Sequence, residues 1–161
     1  MAGSCAPAPR VEILPPQCGH FRAHVEAELA KHEAAKRPAD AVERLVNEAR
    51  RLTADKKYAD AIAIFDSVVH TNPDTVRALS GRGYARMMRA DGDDLTEAES
   101  DFEAAYKMAP GGNPEDDKLR AQILFNRGLI SEKTKDGRAK AFFEKAHELS
   151  PSAATKKKLG L

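Results

Sequence analysis

Apolar residues recur at helical spacing along most of the chain, and short polar or proline-containing segments interrupt them. In segment 75–90, for example, Val76, Leu79 and Met87 fall on one face of an α-helix. No segment alternates apolar and polar residues with a period of two, so no strand is predicted. The same pattern predicts the other helices, at 21–36, 41–53, 58–70, 96–109, 114–134 and 138–149. The expected fold is therefore all-α, with about seven helices arranged as antiparallel pairs.

Capping residues mark where several of these helices begin. Asp40 is a candidate N-cap for the helix that follows it. Thr96 and Glu99 have the spacing of a capping box. Asn113 precedes Pro114, which favours an N-cap followed by proline at the first helical position.

The two ends of the chain differ in composition from its middle. Residues 1–20 hold four prolines and no helical period, so they predict an extended arm that could order against a partner. Residues 21–37 predict an N-terminal capping helix, and 40–151 the helix pairs. Residues 152–161 predict a basic C-terminal tail. Its lysine run, 156–158, is interpreted as a solvated helix end with cations near the negative pole.

One sequence pattern occurs three times in the predicted helical region. An alanine is followed four residues later by phenylalanine and, eight residues after that, by proline. The copies are Ala61/Phe65/Pro73, Ala98/Phe102/Pro110 and Ala139/Phe143/Pro151. The preceding helices place a large residue four positions before a small one, at Leu45/Ala49, Leu79/Gly83 and Leu124/Gly128. Repeats at this interval are typical of helical solenoids, in which small residues permit close packing and proline ends the second helix.

These motifs resemble the tetratricopeptide repeat (TPR) family, with three repeats over 41–151. The resemblance implies a right-handed solenoid whose first helices line a concave face that binds a protein or peptide. The spacings of 37 and then 41 residues depart from the family's period, because 91–95 and 110–113 add residues. Leu52, Arg86 and Ser131 stand near positions where the family usually has an aromatic residue.

The resemblance assigns ten partner-binding residues. Arginine, tyrosine and amide side chains suit an extended peptide, because they offer paired donors and an apolar surface. The positions are Asn47, Arg50, Arg77, Ser80, Tyr84, Met88, Gln122, Phe125, Asn126 and Leu129. Members that clamp the C-terminal carboxylate of heat-shock chaperones have basic residues and asparagines at positions that here read Val46/Arg50, Gly81 and Gln122/Asn126. Because only one of these is basic, chaperone-tail recognition is rejected.

Composition narrows the remaining function classes. The net charge of +1 argues against general nucleic-acid binding, and the longest apolar runs are too short to span a membrane. Two cysteines favour reduced thiols in an intracellular, cytoplasmic protein, although organellar import stays open. Neither Cys5/Cys18/His20/His24 nor the acidic loop 91–94 has a usual zinc or EF-hand spacing, so no metal or cofactor is expected. No motif brings a nucleophile to a base, so no catalytic residue and no small-molecule substrate are expected.

The sequence therefore predicts a non-enzymatic interaction module that binds a partner through the concave face and the N-terminal arm. The alternative is a structural subunit permanently incorporated in a large multiprotein assembly. In that case the arm, and especially residues 11–16, would hold the chain in place. The sequence leaves the oligomeric state and the partner open.

Overall fold

The computed structural model describes residues 38–161, in which Val42–Leu161 form one compact unit. Described in chain order, the helices are α1 (Pro38–Ala54), α2 (Tyr58–Thr71), α3 (Val76–Arg89), α4 (Asp94–Met108), α5 (Pro114–Thr134), α6 (Ala139–Leu149) and α7 (Ala153–Leu159). There is no strand in this part of the chain. The all-α prediction is confirmed. The arm at 1–20 and the helix predicted at 21–37 lie outside the described residues.

Consecutive helices pack against each other, and the three repeated phenylalanines lie at the centre of this packing. Phe65, Phe102 and Phe143 are at most 2% exposed. Residues of α1, α2 and α3 form one buried cluster, α3, α4 and α5 a second, and α5 and α6 a third. The helical-repeat arrangement is therefore confirmed.

Small residues allow the phenylalanine rings to approach the neighbouring helix backbones. A Cβ added to Gly128 would lie 2.4 Å from Cε1 of Phe143. A Cβ added to Gly81 would lie 2.4 Å from Cζ of Phe65. Both distances are far below van der Waals contact, so a side chain at either glycine would displace a buried ring.

Asn113 caps α5 as predicted. Its side-chain oxygen accepts hydrogen bonds from the backbone N–H groups of Glu115 (3.1 Å) and Asp116 (2.9 Å), and Pro114 is the first helical residue. The prediction for Asp40 is wrong, because α1 begins at Pro38 and Asp40 lies in its first turn. Proline fits the first helical position, where its missing N–H is not needed.

The predicted capping box of Thr96 and Glu99 is also wrong. Helix α4 begins at Asp94, so Thr96 already lies in the first turn. The carboxylate of Asp94 accepts a hydrogen bond from the backbone N–H of Asp91 (2.9 Å) and pairs with Arg89. This arrangement orders the loop before Thr96 is reached, so the helix starts earlier than the sequence pattern suggested.

A seventh described helix, α7, stands where the sequence predicted a tail. Ser152 and Thr155 form its capping box, in which each side chain bonds the other residue's backbone N–H. Threonine is not the usual partner in this motif, which is glutamate or glutamine, so the sequence signal was missed. Lys156, Lys157 and Lys158 do occupy the last turn of this helix, as expected for cations near a negative helix pole.

Helix α3 occupies the middle of the array. It packs against α2 and α4, and it also contacts α5. Helices α3 and α5 are the first helices of successive pairs, so this contact joins the surfaces that they share. The groove described next lies along them.

Candidate ligand-binding groove

A groove of about 1030 Å³ runs across α1, α3 and α5. Tyr58 and Phe65 of α2 complete its wall. The rest of its lining is Arg50, Thr53, Ala54, Lys56, Arg77, Ser80, Gly81, Tyr84, Met88, Glu115, Asp116, Lys118, Leu119, Gln122, Ile123 and Asn126. Because three helices from different parts of the sequence contribute, the groove exists only in the folded array.

Most of the predicted partner-binding residues lie together in this groove. Those that line it are Arg50, Arg77, Ser80, Tyr84, Met88, Gln122 and Asn126. Asn47, Phe125 and Leu129 do not line it. The ring centroids of Phe125 and Phe143 lie 5.3 Å apart. Leu129 is partly buried and packs against the second buried cluster, whereas Asn47 is exposed. Their role in partner binding stays a prediction.

Exposed apolar side chains lie in the groove among these polar residues. Tyr84 is 40% exposed and Met88 is 43% exposed, although both are large. They are four residues apart on α3, so they are neighbours on one helix face. Together they offer an adaptable apolar surface, since tyrosine is rigid and methionine is flexible.

The groove also contains cationic side chains that no acidic side chain of the described residues neutralises. Arg50, Lys56, Arg77 and Lys118 line it, and within residues 38–161 none of them forms a salt bridge. Arginine side chains present several donors in a fixed fork, which suits a carboxylate in two-point contact. These donors are chemically able to bind an anionic group.

Two acidic residues line the groove at the start of α5. Glu115 and Asp116 belong to its first turn, where negative charge is favourable beside a helix N-terminus. Asp116 accepts a hydrogen bond from the amide of Asn113. The charges of the groove therefore change along the array: Arg50 and Lys56 at α1 and the loop after it, Arg77 on α3, and two acids with Lys118 on α5.

The other face of α3 holds two arginines that form ion pairs with acidic side chains. Arg82 donates to the buried carboxylate of Asp101 at 2.6 Å and 3.0 Å, and to Asp66 at 2.7 Å. Arg86 donates to Asp101 at 2.6 Å and pairs with Glu97 at 3.1 Å. We call Asp66, Arg82, Arg86, Glu97 and Asp101 the ion-pair cluster.

Four lining residues were absent from the sequence prediction although they carry charge. Lys56 has a left-handed backbone (φ 61°) in the loop after α1, where helix periodicity gives no guidance. Glu115, Asp116 and Lys118 lie in the part of α5 that precedes the repeat motif. The length of the predicted helix 114–134 was the one signal that could have indicated this extension.

The acidic loop before α4 has a structural role. Asp94 is buried and its two carboxylate oxygens accept hydrogen bonds from Arg89 at 2.6 Å and 2.7 Å. Asp93 is the N-cap residue of α4, with no side-chain capping bond. Within the described residues no three His, Cys, Asp or Glu side chains are grouped to hold a metal ion. The Cys5/Cys18/His20/His24 set lies outside those residues.

Comparison with known proteins adds no family assignment. No protein-family model matches the sequence, and no curated protein matches it significantly. Among helices of the described residues, none has the length and apolar character needed to cross a membrane. The evidence for the helical-repeat fold is therefore the packing of consecutive helices in the structure.

Proposed function

We propose that this protein is a non-enzymatic interaction module of the TPR type, and that it binds a partner protein or peptide in the groove across α1, α3 and α5. One observation carries the proposal. Arg50 and Arg77, which have no ion pair within residues 38–161, lie with exposed Tyr84 and Met88 in a single groove built from separate helices. Hot spots of protein interfaces are enriched in arginine and tyrosine, so this combination favours recognition.

Four of the groove residues, Arg50, Arg77, Tyr84 and Met88, are not needed to hold the fold together. Tyr84 and Met88 remain substantially exposed, and Arg50 and Arg77 have no ion pair within the described chain. Surface side chains of this kind change stability by less than about 0.5 kcal/mol when they are truncated. Their replacement is therefore a clean test of binding.

A selection of short random peptides displayed on phage, performed on the full chain, tests this function. We expect it to yield peptides that bind the protein and lose binding to the triple variant Arg50→Ala/Arg77→Ala/Tyr84→Ala. The matched control is Arg44→Ala/Arg51→Ala/Met108→Ala, which removes the same charge and one exposed apolar side chain outside the groove. Both variants should melt within about 2 °C of the wild type.

Two results would contradict the proposal. One is a selection that yields no binder, and the other is a set of binders that the triple variant retains. In the second case the competing function, a subunit fixed in a large assembly, predicts that deletion of residues 11–16 releases the chain from its native complex while the triple variant stays assembled.

A further inference from the structure

We infer that the groove selects an acidic extended peptide, whose carboxylates bind Arg50 and Arg77 while an apolar side chain packs on Tyr84 and Met88. This inference rests on the proposed function and adds the chemistry of the ligand. It follows from the charges of the groove, where Arg50 and Arg77 lie without an acidic partner from the described chain.

Several arginines outside the groove already have acidic partners, whereas Arg44, Arg51 and Arg120 have none within the described residues. Arg82 and Arg86 pair with Asp101, Arg89 pairs with Asp94, and Arg127 pairs with Glu99. By contrast, no acidic side chain of residues 38–161 lies within ion-pair distance of Arg50 or Arg77. An arginine fork that receives no carboxylate from its own protein can accept one from a ligand.

The position of the acidic residues in the groove predicts how the peptide is oriented along it. Glu115 and Asp116 line the groove on α5 and would repel a ligand carboxylate placed beside them. The favourable side for acidic ligand residues is therefore that of α1 and α3. The remainder of the ligand, next to α5, should be neutral or basic.

The same acids argue against a nucleic acid as the ligand. A nucleic-acid backbone carries a phosphate at every nucleotide, so it needs positive charge along its whole path. Glu115 and Asp116 interrupt such a path, whereas a peptide can restrict its acidic residues to one end. The mixture of tyrosine, methionine and amides in the groove also suits peptide side chains.

The charge of the selected peptides tests the inference. We expect Asp and Glu to be enriched in them, and their affinity to fall when the salt concentration is raised. Fluorescence anisotropy of a labelled selected peptide should show a loss of at least about tenfold for Arg50→Glu/Arg77→Glu. The control Arg44→Glu/Arg51→Glu makes the same charge change on exposed α1 positions outside the groove and should change affinity less than about threefold.

A reversal experiment sharpens the test. When the selection is repeated on Arg50→Glu/Arg77→Glu, the recovered peptides should be basic. In the background with both arginines intact, Glu115→Gln should allow the groove to accept peptides with acidic residues at both ends.

The wild-type selection could instead yield neutral or basic peptides whose binding requires Tyr84. That result would overturn the acidic preference and leave the proposed function intact. Competition of the labelled peptide by single-stranded oligonucleotides at equal concentration would overturn it in favour of a nucleic acid. Absence of any groove-dependent peptide would remove the proposed function and this inference together.

Discussion

Arg77 and Arg82 lie five residues apart on α3 and have opposite environments. Arg82 lies in the ion-pair cluster, where it binds Asp101 through several hydrogen bonds. Arg77 faces the groove and has no acidic partner within the described chain. The difference separates two uses of the same residue type, since a neutralised arginine joins helices and an unneutralised one can recognise a ligand.

The burial of Asp101, the main acidic partner of Arg82, explains this contrast. Asp101 is 4% exposed, so its charge needs close hydrogen bonds to be tolerated. Arg82 and Arg86 supply them from α3, which fixes α4 against α3. Among the described residues, no buried carboxylate lines the groove, so Arg77 is not required there for the fold.

Removing the buried carboxylate should have the largest effect. Asp101→Ala leaves two partly buried arginines without their main partner, so we expect a loss of about 3 kcal/mol in the free energy of unfolding. Asp66→Ala is the matched control, because Asp66 binds the same Arg82 but is exposed, and it should cost about 1 kcal/mol or less. Urea unfolding followed by circular dichroism measures both. Equal losses would mean that burial does not decide the strength of the cluster.

The pair Asp94–Arg89 extends the paired face of α3 to its C-terminal end. Hydrogen bonds from Arg89 hold the pKa of Asp94 below its ordinary value, opposed by burial and helped by the backbone N–H of Asp91. Because the folded-state pKa is the lower one, this stabilisation is complete above the unfolded pKa of about 4 and is lost as the pH falls through the folded-state pKa.

Asp94→Asn should therefore lower the free energy of unfolding at pH 7 by about 2 kcal/mol, since it removes charged hydrogen bonds at a buried position. Its unfolding free energy should also decline less than that of the wild type as the pH is lowered below about 4. The control is Asp93→Asn, which changes an exposed neighbour without a side-chain capping bond. Parallel pH profiles for wild type and Asp94→Asn would disprove the linkage.

Gly81 lies on the groove face of α3, and its replacement should have a smaller effect. The added Cβ of Gly81→Ala would meet the fully buried ring of Phe65 at 2.4 Å. Overpacking costs about 1–3 kcal/mol, whereas alanine gains up to about 1 kcal/mol in helix propensity, so a net loss of about 1 kcal/mol is expected. Ser80→Ala, one residue away, adds no atom towards the ring and serves as the control. Stabilisation by Gly81→Ala in thermal unfolding would show that Phe65 can move at little cost.

The sequence predicted the helical fold because its strongest signals are local or periodic. The phenylalanines at 65, 102 and 143 recur with a small residue before and a proline after, and burial of all three follows from that pattern. Helix starts were less predictable. Asp40 and Thr96 have suitable side chains for capping, but Pro38 and Asp94 begin their helices earlier.

The candidate groove could be predicted only in part, because its composition depends on contacts between distant segments. Periodicity places Arg77 and Tyr84 on one face of α3, and both line the groove. Periodicity cannot predict which arginine forms an ion pair, since Asp101 and Arg82 are 19 residues apart in the sequence. It also could not place Glu115 and Asp116, which enter the groove through the extension of α5.

The smallest effect on stability is expected for Arg77, the α3 arginine that faces the groove. Arg77→Ala removes an exposed side chain without an ion pair in the described chain, so the free energy of unfolding should change by less than about 0.5 kcal/mol. Arg82→Ala, the same substitution on the paired face, leaves Asp101 with fewer donors and should cost about 2 kcal/mol. Urea unfolding of the two variants side by side measures the difference. If Arg77→Ala were as destabilising as Arg82→Ala, the groove arginines would serve the fold, and their availability to a ligand would lose its physical basis.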